Sequence, residues 1–349
     1  MKKLFFLAAL AGVALVSCTK NEVAPSDNQN EITFAAPVVG PQMKSQHGEI
    51  PVGYNENEHF AVYAVHYNGA SLPNWAAGTL YMGTATNGLE CLKQTDENYW
   101  APAQPYYWPK EGTLSFAAYS PFDVTGSVSY GANGLKVENH TVSTNIAEHV
   151  DFLYAQRVYN YSTSTEEADD DNTVYGYTGV NLMFQHAMSS IVFRLAKDSA
   201  IDASTTISLK KITLANPYSV GTFNENVTDG ATYAAAPFWS DRNTQASFVT
   251  YDSSVHLTTT LTEYVTGNAD IILIPQDLTN DVKVILNYTI TSPGGHEIAQ
   301  ESTIQLNTKT AAWGMGTRYI YNITIGLEEI KFDPAVTAWT NADEVNIAL

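Results

Sequence analysis

The sequence predicts an all-β protein. Tyrosine and phenylalanine are abundant, with 21 and 13 copies among 349 residues, and charged side chains make up only 15% of the chain. Apolar and polar residues alternate over short runs that end at Gly, Pro, Asn or Asp, which is typical of strands joined by turns. Because these runs follow one another at a spacing of roughly 8–12 residues, the pattern favours β-sandwiches over alternating α/β units.

Residues 1–17 predict a secretory signal peptide. A basic start precedes an apolar run over residues 4–16, which is too short to cross a bilayer as a helix. The sequence Leu15-Val16-Ser17-Cys18 resembles the lipobox of bacterial lipoproteins. The resemblance implies cleavage between Ser17 and Cys18 and acylation of Cys18, whose lipid would anchor the protein in the outer membrane. An ordinary secreted protein is the alternative.

The charge of the chain argues against one class of partner. The formal net charge is −19, and such a field repels phosphate backbones, so we expect no nucleic-acid binding.

Residues 18–30 are polar and without periodicity, and they predict a lipidated tether. Cys91 is the other cysteine of the chain, so no disulfide can form once Cys18 is acylated. We interpret Cys91 as a small buried residue rather than a nucleophile.

Two sandwich domains are predicted, over residues 31–178 and 179–349. The polar residues 162–173 between them are rich in Asp and Glu, and they lack the spacing of a calcium-binding loop, so an exposed acidic loop is favoured. Gly294-Gly295 indicates a hairpin between two of the later strands. The strand patterns cover residues 32–35, 60–65, 99–100, 114–119, 180–184, 190–195, 206–214, 247–251, 271–274, 282–290, 302–306, 319–325, 329–332 and 336–339.

The sequence contains no motif of a catalytic or metal site. It has no H-E-x-x-H, G-x-S-x-G or phosphate-binding loop, and we predict that the protein is not an enzyme and needs no cofactor. His186 lacks a second His or Cys at ligand spacing, so it predicts a hydrogen-bonded structural histidine rather than a metal ligand. A secreted hydrolase stays open as an alternative, because paired carboxylates leave no spacing to test.

Several motifs occur in an order that resembles the fimbrillins, the pilus subunits of Bacteroides-type bacteria. Each motif is short, and the resemblance rests on their order over nearly the whole chain. They are the lipobox at Cys18, Ile32-Thr33-Phe34, Tyr107-Trp108-Pro109 ahead of residues 114–121, Asp151-Phe152-Leu153-Tyr154-Ala155, residues 182–189, Trp313-Gly314, and residues 319–325 ahead of Val336 and Trp339.

The resemblance implies two transthyretin-like β-sandwich domains in tandem. It implies a structural subunit of a fimbria (pilus), exported as a lipoprotein precursor to the outer membrane and cell surface, that supports cell adhesion. Its partners would be other copies of itself or related pilin subunits, a trypsin-like surface protease, and a host or bacterial surface receptor. Assembly would proceed by protease-triggered β-strand exchange, in which a strand of one subunit fills a groove in the next.

The resemblance also implies roles for particular residues. Ile32 and Phe34 would belong to the strand that is displaced. Lys44 is the single Lys or Arg between Lys20 and Lys93 and lies in a loop bounded by Pro and Gly, so the cut is predicted between Lys44 and Ser45. The donor strand would come from the C-terminal segment, where apolar residues partly alternate; the same segment could instead cap its own domain. The candidate donor residues are Val336, Trp339, Val345, Ile347 and Leu349.

A surface glycan-binding lipoprotein is the main alternative function. It would use aromatic side chains as a platform for sugar rings. We expect these residues to serve the core and the sheet faces instead, because aromatic side chains dominate β cores. They are Tyr106, Tyr107, Trp108, Phe116 and Tyr119.

Overall fold

The chain is described by a computed structural model. The structure describes residues 31–35, 37–39, 52–53, 59–68, 78–94, 99–131, 133–161, 179–228, 232–233, 238–266, 271–327 and 330–338. Apart from short 3₁₀ helices at Ile146–Glu148 and Leu306–Thr308, the regular elements of this part of the chain are strands, so the predicted all-β class is confirmed. No helix in these ranges is long and apolar enough to cross a membrane.

The first half of the chain contributes eleven strands in the described ranges. They are β1 (Phe34–Ala35), β2 (Val38–Val39), β3 (Val52–Gly53), β4 (Phe60–Tyr67), β5 (Thr79–Met82), β6 (Leu89–Lys93), β7 (Tyr99–Pro102), β8 (Thr113–Ser120), β9 (Ser127–Gly131), β10 (Gly134–Thr141) and β11 (Leu153–Tyr161). The acidic residues 162–173 lie outside the described residues.

The second half contributes the remaining strands of the described ranges. They are β12 (Met183–His186), β13 (Ser189–Lys197), β14 (Thr206–Asn224), β15 (Val227–Thr228), β16 (Thr232–Tyr233), β17 (Trp239–His256), β18 (Thr262–Glu263), β19 (Ile271–Leu273), β20 (Gln276–Asp277), β21 (Lys283–Thr291), β22 (Glu297–Gln305), β23 (Ala312–Trp313), β24 (Thr317–Ile325) and β25 (Ile330–Ala338).

The N-terminal sheet closes on itself through its first segment. Its strand order is β1-β7-β6-β4-β8-β11-β12-β2-β3, with β5 paired to β4. The strands β1 and β2, which stand near opposite ends of this order, are consecutive pieces of residues 34–39. Phe34 pairs with Trp100 on one side, and Val38 pairs with Met183 on the other. We call this closed arrangement the N-terminal ring, and the segment that closes it, residues 31–39, the closing segment.

Both faces of the ring's middle strands are buried. On β4, Phe60 and Val62 point into the ring, while Ala61 and Tyr63 face a second, larger core. Strands with two buried faces need apolar residues at nearly every position, which explains why residues 60–65 read as an almost continuous apolar run. The ring is therefore filled on the inside and packed against the rest of the chain on the outside.

Two further sheets enclose the larger core. One has the order β22-β21-β14-β10-β9 with β17 paired to β14, and the other has the order β18-β13-β24-β25 with β19 paired to β13. In the second sheet β13 and β24 run parallel over nine residue pairs, from Ser189 opposite Thr317 to Lys197 opposite Ile325. Large buried side chains fill the space between the sheets, among them Phe193, Trp239, Phe248, Trp313 and Tyr321.

Backbone pairing crosses the predicted domain boundary in both directions. Strand β12 pairs with β11 in the ring, and β10 pairs with β14 in the six-stranded sheet. Next to β12, the Ala187 N–H donates to the Phe152 carbonyl at 2.9 Å. The division of the chain at residues 178 and 179, and the tandem transthyretin-like arrangement, stay predictions.

Several strands are longer than their patterns indicate. Strand β14 continues past Leu214 to Asn224, because Asn216 adopts a φ of 64° and the register with β17 shifts there, as at a β-bulge. Strand β25 runs without interruption through Pro334, where two separate strands were predicted. Proline is tolerated because β25 is an edge strand. The hairpin at Gly294-Gly295 is confirmed between β21 and β22.

Candidate functional site

The closing segment is held on both sides by backbone hydrogen bonds. The Ile32 N–H donates to the Tyr106 carbonyl at 2.7 Å on one side. On the other side the Ala35 N–H donates to Val180 at 3.1 Å, and the Val180 N–H donates to Thr33 at 2.8 Å. The segment thus occupies a slot between β7 and the residues that lead into β12, and its backbone completes the hydrogen bonding of both neighbours.

The side chains of the closing segment fill the ring. Ile32 and Phe34 have no exposed surface, and both belong to the inner core. The Phe34 ring meets Phe60 edge to face with centroids 5.6 Å apart. Burying side chains of this size contributes about 1.5–3 kcal/mol each, so an empty slot would expose a costly apolar surface to water. Both residues predicted for the displaced strand therefore lie at the position that closes the core.

Gly179 makes the close approach of the closing segment possible. Its φ is +81°, and a Cβ there would lie 2.6 Å from the Ala35 nitrogen and 2.7 Å from the Phe34 carbonyl carbon. A backbone separation this short leaves no room for any side chain. Gly179 and the hydrogen-bonding Val180 were not singled out in the sequence, because a glycine after a polar segment looks the same whether or not a strand packs against it.

Cys91 and most of the aromatic residues considered in the sequence analysis are packed in the protein interior. Cys91 is fully buried opposite Phe60, and burial raises the pKa of its thiol, as expected for an unreactive cysteine. Of the five aromatic residues assigned to core or sheet faces, three are buried, Tyr106 is half-buried against the inner core, and Tyr107 is 50% exposed.

His186 takes the structural role predicted for it. Its Nδ1 atom hydrogen-bonds the Asp151 carboxylate at 2.5 Å, which ties β12 to the start of β11. Within the described ranges, His, Cys, Asp and Glu side chains form no cluster of three or more that could hold a metal ion.

The candidate donor strand is paired within its own chain. Val336 lies in β25 opposite Tyr319, and β25 covers the edge of β24 over nine residue pairs. This pairing fits the alternative that the C-terminal segment caps its own domain, and the donor role stays a prediction. The other donor candidates, Trp339, Val345, Ile347 and Leu349, lie outside the described residues, as do Ser17, Cys18, Lys44 and Ser45.

Two buried residues of opposite charge, also not foreseen, interact electrostatically where the ring meets the larger core. Arg157 on β11 donates from Nε to the Tyr130 hydroxyl at 2.7 Å and from Nη2 to the Gly131 carbonyl at 3.0 Å. Glu225 accepts the Leu135 N–H at 2.8 Å through Oε2. Both charged residues are at most 5% exposed. The sequence carried no sign of this proximity, because the two residues are 68 positions apart, Arg157 on β11 and Glu225 just after the end of β14.

Comparisons with known proteins agree on family and fold. A family model described as fimbrillin-like matches residues 51–339. A fimbrial protein from Bacteroides vulgatus is similar at 16% identity and a TM-score of 0.55, over 88% of this chain and 100% of that one. A candidate cell adhesion protein from Bacteroides uniformis is similar at 17% identity and a TM-score of 0.51, over 90% of this chain and 100% of that one. No curated protein matches.

Proposed function

The chain belongs to the fimbrillin-like family, and from this premise we propose that it is a fimbrial subunit which is exported as a lipoprotein and assembled by β-strand exchange. The observation that carries the proposal is the closing segment, because the ring is completed by a short stretch near one end of the chain. Such a stretch can leave without unravelling the strands that follow it. A slot lined by apolar side chains and by strand edges on both sides is what an incoming strand requires.

The exchange has a direct physical rationale. Loss of the closing segment would remove Ile32 and Phe34 from the core and leave the Tyr106 and Val180 backbone groups without their partners. A strand from a second subunit would restore the backbone hydrogen bonds and refill the core. Because successive side chains of a strand alternate in direction, only one register places apolar residues inside the ring. The alternation over Val345, Ile347 and Leu349 offers such a register.

Cleavage between Lys44 and Ser45 would free the closing segment. Lys44 follows Val39 by five residues, so a cut there separates residues 31–39 from the rest of the ring. The proposed agent is a trypsin-like protease at the cell surface, since such enzymes cut after Lys or Arg. Until that cut, the lipid on Cys18 would hold the precursor at the outer membrane. A host or bacterial surface receptor completes the proposed set of partners, and catalysis is not part of the function.

Limited trypsin digestion of the purified full chain tests the proposal. We expect a new N-terminus at Ser45, followed by ladders on an SDS gel run without boiling. The variant Lys44→Gln should stay uncut there and monomeric, while Lys110→Gln, at an exposed lysine of the described residues, should behave like the unchanged protein. Cleavage without ladders would argue for a terminating subunit, and a stable uncut monomer would favour a glycan-binding surface lipoprotein instead.

The donor segment is tested separately. A chain that ends at Ala338 keeps β25 but lacks Trp339, Val345, Ile347 and Leu349. If these residues are donated, the shortened chain should be cut at Ser45 and accept a strand from the full chain, yet form no ladders alone. Ladders of undiminished length from the shortened chain would contradict a donor role for residues 339–349.

A further inference from the structure

The sheet β18-β13-β24-β25 has a second buried face. On β13, Ile191 and Phe193 point into the larger core, so Val192 between them points to the opposite side. Val192 pairs with Ile320 on β24, and Ile320 likewise stands between two core residues. Val192 is 2% exposed and Ile320 is 6% exposed, although neither belongs to a hydrophobic core formed by the described residues.

Charged and polar groups surround this apolar pair. Arg194 Nε lies 3.9 Å from Glu263 Oε2, and Arg318 Nη2 lies 4.0 Å from the same oxygen. Asn322, opposite Arg194, has a buried side-chain oxygen without a hydrogen-bond partner in the part of the chain that the structure describes. Buried polar atoms are nearly always hydrogen-bonded, so a polar group belongs over this position. We call the surface formed by Val192, Arg194, Arg318, Ile320 and Asn322 the outer face.

We propose that the outer face is the docking site of the chain's own segment 339–349, which we call the tail. The tail would lie over Val192 and Ile320 and place its acidic residues beside Arg194 and Arg318. The tail would dock in this way in the single, unassembled chain, whether or not it is later donated to another subunit.

The position and the length of the tail fit this docking site. Strand β25 ends at Ala338, opposite Thr317 at the start of β24, so the tail begins beside the sheet that carries the outer face. Val192 and Ile320 lie three residues further along their strands than Ser189 and Thr317, a distance of about 10 Å. Eleven residues can extend over about 36–40 Å, which is ample for the return.

The chemistry of the tail complements the outer face. Asp343 and Glu344 supply negative charge, while Val345, Ile347 and Leu349 supply apolar side chains at alternate positions. The outer face offers two guanidinium groups flanking two buried aliphatic side chains. The chain has a net charge of −19, so a surface with two arginines is uncommon in it. Such a surface would attract an acidic segment. The tail backbone also provides the N–H donors that the Asn322 side-chain oxygen lacks.

Thiol labelling tests the docking. Ile320→Cys and, separately, Val192→Cys are introduced into the full chain and into a chain that ends at Ala338, and the labelled peptides are identified by mass spectrometry. We expect labelling about tenfold or more faster in the shortened chain, because opening of the tail no longer limits access. Ile298→Cys, at a site 55% exposed on β22, should react equally in both. Equal protection of both sites in the two chains would overturn the proposal.

A charge variant and a cross-link identify the occupant. In the full chain, Asp343→Lys with Glu344→Lys should raise the labelling of Ile320→Cys as truncation does, whereas Glu138→Lys, at an exposed position of β10, should not. A Val192→Cys, Ile347→Cys chain should form an intramolecular disulfide in dilute solution. A disulfide that joins two chains would overturn the proposal in favour of a second copy as the occupant. These results are independent of ladder formation, so failure here and failure of strand exchange remain distinguishable.

Discussion

The ring of Phe34 meets the ring of Phe116 edge to face, with centroids 5.7 Å apart and ring planes at 86°. Phe34 belongs to the closing segment, and Phe116 lies on β8, which is flanked by β4 and β11 in the N-terminal sheet. Trp108 approaches the same Phe116 ring at 5.8 Å. The closing segment is thus packed against the middle of the ring, and its departure would disturb the inner core as a whole.

Truncation of Phe34 should show how much its packing in the inner core stabilises the fold. We expect Phe34→Ala to lower the free energy of unfolding by about 3–5 kcal/mol, because a fully buried ring is lost and the ring strands cannot collapse around the cavity. Urea unfolding followed by tryptophan fluorescence measures the change. Ile298→Ala, at an exposed position, should stay within about 0.5 kcal/mol of the unchanged protein. A loss below about 1 kcal/mol for Phe34→Ala would mean that Phe34 does not fill the core.

A methyl group at Gly179 should loosen the closing segment. We expect Gly179→Ala to speed amide exchange at Ala35 and Val180, because its Cβ would meet the Ala35 nitrogen at 2.6 Å. Gly295→Ala is the matched control, since Gly295 has a similar φ of +76° but no atom within 4 Å of a Cβ. Both variants carry the left-handed strain of about 1 kcal/mol, so only their difference reports the clash. Equal exchange in the two variants would contradict the close approach.

Acid should destabilise the protein through His140. Burial lowers the pKa of His140 to about 4, and a hydrogen bond to the Thr125 carbonyl only partly opposes this. The imidazole stacks on Phe152 with centroids 5.6 Å apart. Because the folded pKa lies below the ordinary value of 6.5, the neutral form favours folding above pH 6.5. That contribution is lost as the pH falls from about 6.5 to about 4, up to about 3 kcal/mol in total.

Urea unfolding between pH 7 and pH 4 checks this dependence. We expect the decline in stability to be shallower in His140→Gln, which cannot take up the proton. Burial also lowers the pKa of His149, so part of the decline should remain in this variant. His296→Gln, at an exposed site, should keep the full decline. An unchanged slope in His140→Gln would show that other groups are responsible.

Removal of the Glu225 carboxylate should weaken the junction between the ring and the larger core. We expect Glu225→Leu to cost about 3–5 kcal/mol, because the Leu135 N–H loses its acceptor and the buried Arg157 loses a nearby negative charge. Adding Arg157→Met should recover part of the loss. The control Glu138→Gln removes a pair with Lys136 on the exposed side and should cost at most about 1 kcal/mol. No recovery in the double variant would argue against coupling of the two charges.

The sequence predicted strands reliably where it contained runs of apolar and aromatic residues. Residues 60–65 and 114–119 both lie in strands, because runs of apolar and aromatic residues of this length have few other stable conformations in water. Strand ends were less predictable. The extension of β14 past Leu214 depends on a left-handed Asn216, and the unbroken β25 depends on Pro334 lying at a sheet edge. Neither condition can be recognised before the neighbouring strands are known.

The candidate site, too, was only partly predictable from the sequence. The residue pattern predicted a first strand at Ile32 and Phe34, and the resemblance to the fimbrillins marked it as the strand that is displaced. It did not identify Gly179, Val180 or the Tyr106 carbonyl, which form the slot. These partners are between about 70 and 150 positions away from Ile32, and only the closure of the ring brings them within hydrogen-bonding distance.

The sequence by itself determined the all-β class, the buried strands and the acidic surface, because alternation, residue size and charge act locally along the chain. The tertiary structure alone decided that the closing segment completes a ring, that both faces of β4 are buried, and that Val192 and Ile320 are covered on the face turned away from the core. The physical reason is that register, closure and burial depend on which distant strands share hydrogen bonds, and no local pattern encodes that choice.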